Sequence, residues 1–144
     1  MRINWGKAIL AGIVGALVMS AIGVWVAPKM GIPRMNPADM LAQPMGSLAL
    51  GWVGHLMIGS VLAVMYGAVA SRLPGPAWGR GALYALAPWL MAQLVVMPMM
   101  GMPVFSGSAA MAMGSLVGHL VYGVTVGGIY GTGEVQAAHR HALA

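Results

Sequence analysis

Four long apolar stretches, with charged residues only at their ends, leave this chain few folds other than a membrane bundle. Only 6% of its residues are charged, against about 25% in a typical soluble domain, so the chain could not cover a surface that faces water. About 20 apolar residues cross a bilayer as a helix. We therefore predict an all-α membrane protein of one domain, a four-transmembrane-helix bundle in contact with the lipid bilayer, with spans at residues 7–27, 46–70, 79–97 and 108–130.

The distribution of Lys and Arg predicts how the bundle is oriented. Short cytoplasmic connections carry the excess of positive charge in multi-pass proteins. Lys29 and Arg34 fall on one side of the membrane. Five basic residues fall on the other: Arg2, Lys7, Arg72, Arg80 and Arg140. Both termini are therefore predicted to be cytoplasmic, and residues 29–45 and 98–107 are predicted to be outside.

Local signals add detail to the connections and the spans. Asn36 is placed to cap a short interfacial helix over residues 37–43, which we expect Pro44 to stop. Pro88 inside span three predicts a kink, and a polar tail, residues 132–144, follows span four. Aromatic residues near the span ends are typical interfacial anchors: Trp5, Trp25, Trp52, Trp78, Tyr66 and Tyr130.

An internal repeat relates the two halves of the chain. Motifs of span two return in span four: Gly54-His55-Leu56 as Gly118-His119-Leu120, and Tyr66-Gly67 as Tyr130-Gly131. Spans one and three match more weakly, mainly where Met-Gly-Ile-Pro at residues 30–33 returns as Met-Gly-Met-Pro at residues 100–103. We predict two tandem two-helix repeats, residues 1–72 and 73–131, related by a pseudo-two-fold axis along the membrane normal.

Each repeated histidine lies on a stripe of small residues spaced by four, which marks a face that packs against other helices. The stripe of span two is Gly51, His55, Gly59, Ala63 and Gly67, and that of span four is Ser115, His119, Gly123, Gly127 and Gly131. Both histidines are therefore predicted to point into protein. Because spans two and four would be diagonal in a four-helix ring, the two imidazoles can face each other across its axis.

This arrangement suits a b-type haem, which needs two axial nitrogens on opposite faces and room for a flat ring. His55 and His119 would be the axial metal ligands. The small residues four before and four after each histidine would complete the cofactor site: Gly51, Gly59, Ser115 and Gly123. Because bis-histidine ligation leaves no open axial position, it favours electron transfer. The leading prediction is a haem b electron-transport subunit of a membrane protein complex.

Three alternatives stay open. The histidines can instead bond to carbonyls or hydroxyls such as Ser115 as a clasp between the halves, in a non-catalytic accessory subunit or a homo-oligomer. The methionines around the outward connections offer soft thioether ligands for copper, although methionine also simply fills irregular apolar space. A small metal or solute permease is the third alternative, with only Pro88 and Gln93 to interrupt an apolar span.

The sequence also excludes several classes of function. There is no cysteine, so disulfides, thiolate metal sites and cysteine nucleophiles are absent. No carboxylate lies where it could orient a histidine within the membrane, so we predict no catalytic residue. The net charge of +5 follows from the membrane orientation and gives no reason to expect nucleic acid as a partner.

With its repeated Gly-His-Leu and Tyr-Gly motifs, the chain resembles a group of small bacterial inner-membrane proteins with four transmembrane helices. The resemblance rests on Gly54-His55-Leu56 with Tyr66-Gly67, and on Gly118-His119-Leu120 with Tyr130-Gly131. It implies a multi-pass protein of the bacterial plasma membrane and no particular activity.

Overall fold

The computed structural model describes residues 3–131, and the predicted polar tail lies outside this range. The protein is a bundle of four apolar helices, each long enough to cross a membrane, which confirms the predicted fold class. The spans are Trp5–Met30, Leu48–Arg72, Ala77–Met99 and Ala109–Tyr130. A short helix, Pro37–Met45, lies between spans one and two, and we call it the loop helix.

Side chains cap the starts of spans one, two and four and of the loop helix, as polar residues before an apolar run commonly do. The Asn4 side chain accepts from the backbone of Lys7 in span one, and the Ser47 and Ser108 hydroxyls do the same for spans two and four. Asn36 caps the loop helix as predicted, with the Ala38 N–H as its donor. These caps satisfy backbone N–H groups that a bilayer would leave without partners.

The loop helix ends two residues later than predicted. Pro44 lies inside its last turn, where a missing backbone donor costs only one hydrogen bond. Gly46 ends the helix instead, because its left-handed backbone (φ 81°) lets its N–H bond to the Ala42 carbonyl. The expectation that Pro44 stops this helix is therefore wrong.

Spans one and three each contain a five-residue π-helical segment, Ile22–Val26 and Ala92–Val96. Each lies just before a proline, Pro28 or Pro98, whose ring would clash with the carbonyl four residues earlier. That carbonyl lies inside the π-helical segment in both cases. The wider π-helical turn avoids this clash. At Pro88, by contrast, the α-helix of span three continues without a break. The irregularity of span three therefore lies beyond the predicted position.

The spans are arranged in a ring in which neighbours run antiparallel. Span one packs against spans two and four, span three packs against span four, and the loop helix packs against span two. Spans two and four are therefore diagonal, as the sequence predicted. Spans two and three meet over a short stretch only, where the Tyr84 hydroxyl donates to the Leu62 carbonyl and Arg80 donates to the Ala70 carbonyl.

The glycine stripes lie at the closest contacts between helices. A methyl group added at Gly59 would overlap the backbone of Gly12 in span one, and one added at Gly123 would overlap the backbone of Gly81 in span three. Gly51 lies against the loop helix in the same way, at Ala38. The prediction that these faces pack against helices is confirmed, and it explains why the stripe needs glycine.

All four tyrosines of the chain, Tyr66, Tyr84, Tyr122 and Tyr130, fill the half of the bundle that lies towards the termini. We call them the tyrosine layer. Tyr66 packs edge-on against both Tyr84 and Tyr130. The interfacial anchor predicted at Tyr66 and Tyr130 is wrong, because both side chains are buried, with 0% and 2% exposed. A tyrosine near a span end suits the core when its hydroxyl finds a carbonyl there.

Candidate functional site

A cavity of about 210 Å³ occupies the other half of the bundle. We call this half the loop end, because it carries the connections at residues 31–47 and 100–108. Tyr122, the member of the tyrosine layer that lines the cavity, forms its floor together with Leu62. Ile58 of span two and Met91 of span three both line the cavity, and each is also about half exposed, at 45% and 50%, where these two spans make few contacts. The cavity therefore opens sideways, towards the lipid.

The two repeated histidines lie at one level of the cavity, on diagonal spans. His55 contacts Ser20 of span one. At the next position along span one, Met19 packs against Gly118, which precedes His119. Both histidines line the cavity, so each points into protein as the sequence predicted.

The ring of His55 is fixed to span one. Its Nε2 lies 3.0 Å from the Ser20 hydroxyl oxygen and 3.2 Å from the Ala16 carbonyl oxygen. In one tautomer Nε2–H donates to the carbonyl, and in the other Nε2 accepts from the hydroxyl. In both cases this nitrogen is already occupied. Trp52, which lies on the same span, packs edge-on against this ring. Through Ser20 and Ala16, His55 therefore joins spans one and two of the first repeat.

The ring of His119 is held differently, within its own helix. Its Nδ1 lies 2.8 Å from the Ser115 carbonyl oxygen, one turn earlier. A carbonyl only accepts, so Nδ1 carries the proton and donates it. In a neutral imidazole Nε2 then holds a lone pair and can only accept. This Nε2 has no hydrogen-bond partner among residues 3–131, and it is the acceptor that His119 offers to the cavity.

A line of polar side chains runs from the loop end towards His119. Ser106 donates to the Gln93 side-chain oxygen at 3.1 Å, and the Gln93 amide donates to the Ser115 hydroxyl at 3.1 Å. Gln93 belongs to the π-helical segment of span three and is 1% exposed. Ser106 adopts a left-handed backbone (φ 58°) next to Phe105 (φ 52°), which strains both residues. The strained turn holds the Ser106 hydroxyl at Gln93.

Methionine dominates the remaining wall of the cavity. Eight of the 15 methionines of the chain line it: Met19, Met35, Met40, Met91, Met97, Met100, Met102 and Met111. Thioethers are flexible, polarisable and free of strong hydrogen-bonding groups. The wall is therefore mostly apolar and adaptable, and its polar side chains are the two histidines, Tyr122 and the line of side chains that ends at Ser115.

The residues predicted to complete a haem site have other neighbours. A Cβ at Gly51, Gly59 or Gly123 would meet the backbone of a neighbouring helix, and of the three only Gly59 also lines the cavity. Ser115 holds His119 through its carbonyl oxygen and lines the cavity. Among residues 3–131, no three His, Cys, Asp or Glu side chains come together as a metal site. Haem and copper binding both stay predictions.

Within the described residues, the two repeated histidines do not form the hydrogen bonds that join the two halves of the chain. Each histidine bonds within its own half, to Ser20 and Ala16 or to Ser115. Tyrosine hydroxyls join the halves instead. Tyr122 donates to the Gly59 carbonyl at 2.6 Å, Tyr84 donates to Leu62, and Tyr66 donates to the Ala77 and Gly131 carbonyls.

Sequence reasoning missed Ser20 and Tyr122, and it treated Gln93 only as a weak sign of a permease. A buried amide in an apolar span was the available signal for Gln93, because such a group needs partners in the membrane. Ser20 lies one helical turn beyond Ala16, but nothing in the sequence pairs it with a histidine 35 residues away.

Comparison with known proteins places the chain in a family without assigning it an activity. Searches of curated proteins and of solved structures found no match. The match to a family model covers residues 3–141, nearly the whole chain. The chain therefore belongs to DUF6789, a family of unknown function.

Proposed function

We propose that this protein binds a small apolar ligand that enters its cavity from the bilayer and is held beside His119. One observation carries the proposal: a cavity of about 210 Å³ lies above Tyr122 and is lined by residues of spans two and three, which meet over a short stretch only. A cavity that is open to one side and closed at its floor suits binding better than passage across the membrane. Such concave apolar sites with a few polar groups are typical of ligand binding.

Filling the cavity tests this proposal. We expect Ala92→Phe, which places a ring in the cavity wall, to remove a bound resonance of fluorobenzene in fluorine NMR spectra of the protein in lipid nanodiscs. The matched control is Met113→Phe, because Met113 is 54% exposed on the outer face of span four. Wild type and control should show a bound resonance. Identical spectra for three folded proteins would rule out the cavity as a binding site.

Haem b is a second candidate, favoured by the common level of His55 and His119 on diagonal spans. Binding of haem b would require a larger change of the bundle than binding of a small ligand. His55 would have to release Ser20 and Ala16, and 210 Å³ is below even the roughly 300–1,000 Å³ of ordinary small-molecule pockets. The arrangement supports a smaller ligand better.

An absorption spectrum decides between the two candidates. From haem-replete cells, we expect the protein to purify without a Soret band, because no space for a flat macrocycle separates the helices. A Soret band lost in both His55→Ala and His119→Ala would establish the haem site and remove the first proposal. Size-exclusion chromatography of the same samples checks that the proteins are folded.

We further propose that the protein lies in a bacterial inner membrane with its termini in the cytoplasm. The chain has no cysteine, so single cysteines report orientation directly. We expect Met30→Cys and Met99→Cys, both exposed at the loop end, to react with a membrane-impermeant maleimide in intact spheroplasts. Pro74→Cys in the connection between spans two and three should react only after lysis. The reverse pattern would invert the orientation.

A further inference from the structure

We infer that the ligand of this cavity is a single aromatic ring with a hydroxyl group, either a free phenol or the head group of a membrane quinol. The inference rests on the proposed function and names the chemistry of the ligand. Four features of the cavity support it: the state of the His119 ring, the volume, the methionine wall and the sideways opening.

The state of His119 selects a hydrogen-bond donor. The Ser115 carbonyl, 2.8 Å from Nδ1, holds the ring proton on that atom. Nε2 therefore meets the ligand as an acceptor with no proton to give. A hydroxyl donates to such a nitrogen, whereas a carbonyl of the ligand does not. A ligand without a donor leaves this nitrogen unpaired in an apolar wall, which is unfavourable.

The volume and the wall select an aromatic ring. An apolar protein cavity of about 150 Å³ holds benzene, so 210 Å³ accommodates one ring with small substituents. Methionine sulfur makes favourable contacts with aromatic rings. Met19 lies beside Gly118 at the level of His119, and Met35 packs against Gly114 one turn nearer the loop end. A ring bonded to His119 therefore lies between thioethers.

The opening selects a ligand dissolved in the bilayer. Ile58 and Met91 line the cavity on spans two and three, and the tyrosine layer lies below it, on the side of the termini. A ring at His119 can carry an alkyl tail out through this gap into the lipid. Phenols without a tail and quinols with one share the same ring chemistry.

The same geometry distinguishes the two redox forms of a quinone. The reduced form carries hydroxyl groups and donates to Nε2 of His119. The oxidised form carries carbonyl oxygens, which cannot donate a hydrogen bond to this nitrogen. A site built to bond a hydroxyl rejects an analogue that lacks it. The protein therefore binds the reduced form preferentially, with no electron transfer in the binding step.

Duroquinol and duroquinone test this preference, because they share a carbon skeleton and differ in the donor. Binding is measured anaerobically in nanodiscs by calorimetric titration. We expect duroquinol to bind at least about tenfold more tightly than duroquinone. In His119→Phe, which keeps a ring but removes the acceptor, the two should bind equally. Equal binding to the wild type would overturn the inference.

Two further measurements separate the possible failures. If both probes bind equally and Ala92→Phe abolishes binding of both, the cavity is a ligand site and only the hydroxyl preference fails. If neither probe binds and fluorobenzene also gives no bound resonance, the proposed function fails as well. Decylubiquinol identifies the source of the ring: tighter binding than duroquinol supports a tailed quinol, and equal binding supports a free phenol.

Discussion

Gly123→Leu is expected to prevent stable packing of spans three and four. A side chain at this position would overlap the Gly81 backbone, and the Ala85 methyl group lies within 2.6 Å of the first added carbon. Backbone cannot move aside as a flexible side chain can, so the spans must separate. Overpacking typically costs about 1–3 kcal/mol, and we expect about 3 kcal/mol here because the nearest atom is the Gly81 backbone oxygen.

The same span offers a matched control for that substitution. Gly128 has nothing within 4 Å of an added methyl group, so Gly128→Leu should keep the parent's thermal midpoint in detergent. The measurement is a thermal unfolding curve with size-exclusion chromatography of both variants. If Gly123→Leu is as stable as Gly128→Leu, the close contact between spans three and four is wrong.

Tyr122→Ala is expected to produce the second large effect. The ring of Tyr122 forms the cavity floor, and its hydroxyl joins the two halves through the Gly59 carbonyl. Removing a buried aromatic side chain costs about 3–5 kcal/mol in soluble cores. We expect the free energy of unfolding to fall by about 3 kcal/mol, at the lower end of this range, because burying a ring from lipid stabilises a fold less than burying it from water.

Tyr122→Phe separates the two contributions. It keeps the ring and removes only the hydrogen bond, so it should cost about 1 kcal/mol and leave fluorobenzene binding intact. Unfolding by a denaturing detergent measures both variants. If Tyr122→Phe costs as much as Tyr122→Ala, the hydroxyl rather than the ring holds the floor of the cavity in place.

The spans could be predicted because their signals are local. An apolar run of sufficient length has no stable alternative to a helix in lipid, and the cap at Asn36 depends only on its own neighbours. The glycine stripes could be predicted in the same way, because residues four apart lie on one face of a helix whatever that helix contacts. Gly59 and Gly123 needed only the fact that helices in membranes approach through small residues.

The chemistry of the site could not be predicted, because it depends on partners distant in sequence. Which nitrogen of a histidine is available depends on what occupies the other. For His55 that partner is Ser20, 35 residues earlier on another span. The repeat suggested equal roles for His55 and His119, but their partners differ. A matching position in a repeat therefore does not ensure a matching chemical state.

The role of tyrosine was missed for a related reason. A tyrosine near the end of a span suits either a bilayer surface or a carbonyl inside the bundle. The sequence around Tyr66 does not distinguish these, because the carbonyls that it meets belong to Ala77 and Gly131. Only the packed bundle brings those atoms to the hydroxyl.

The tyrosine layer also determines how the molecule can move. Its hydroxyls connect the two halves at Gly59, Leu62 and Ala77, whereas spans two and three separate towards the loop end. Two helices that are held together at one end move apart most at the other end. Any widening of the gap beside Ile58 must therefore pivot about the tyrosines, so a small rotation there becomes a larger displacement at the loop helix.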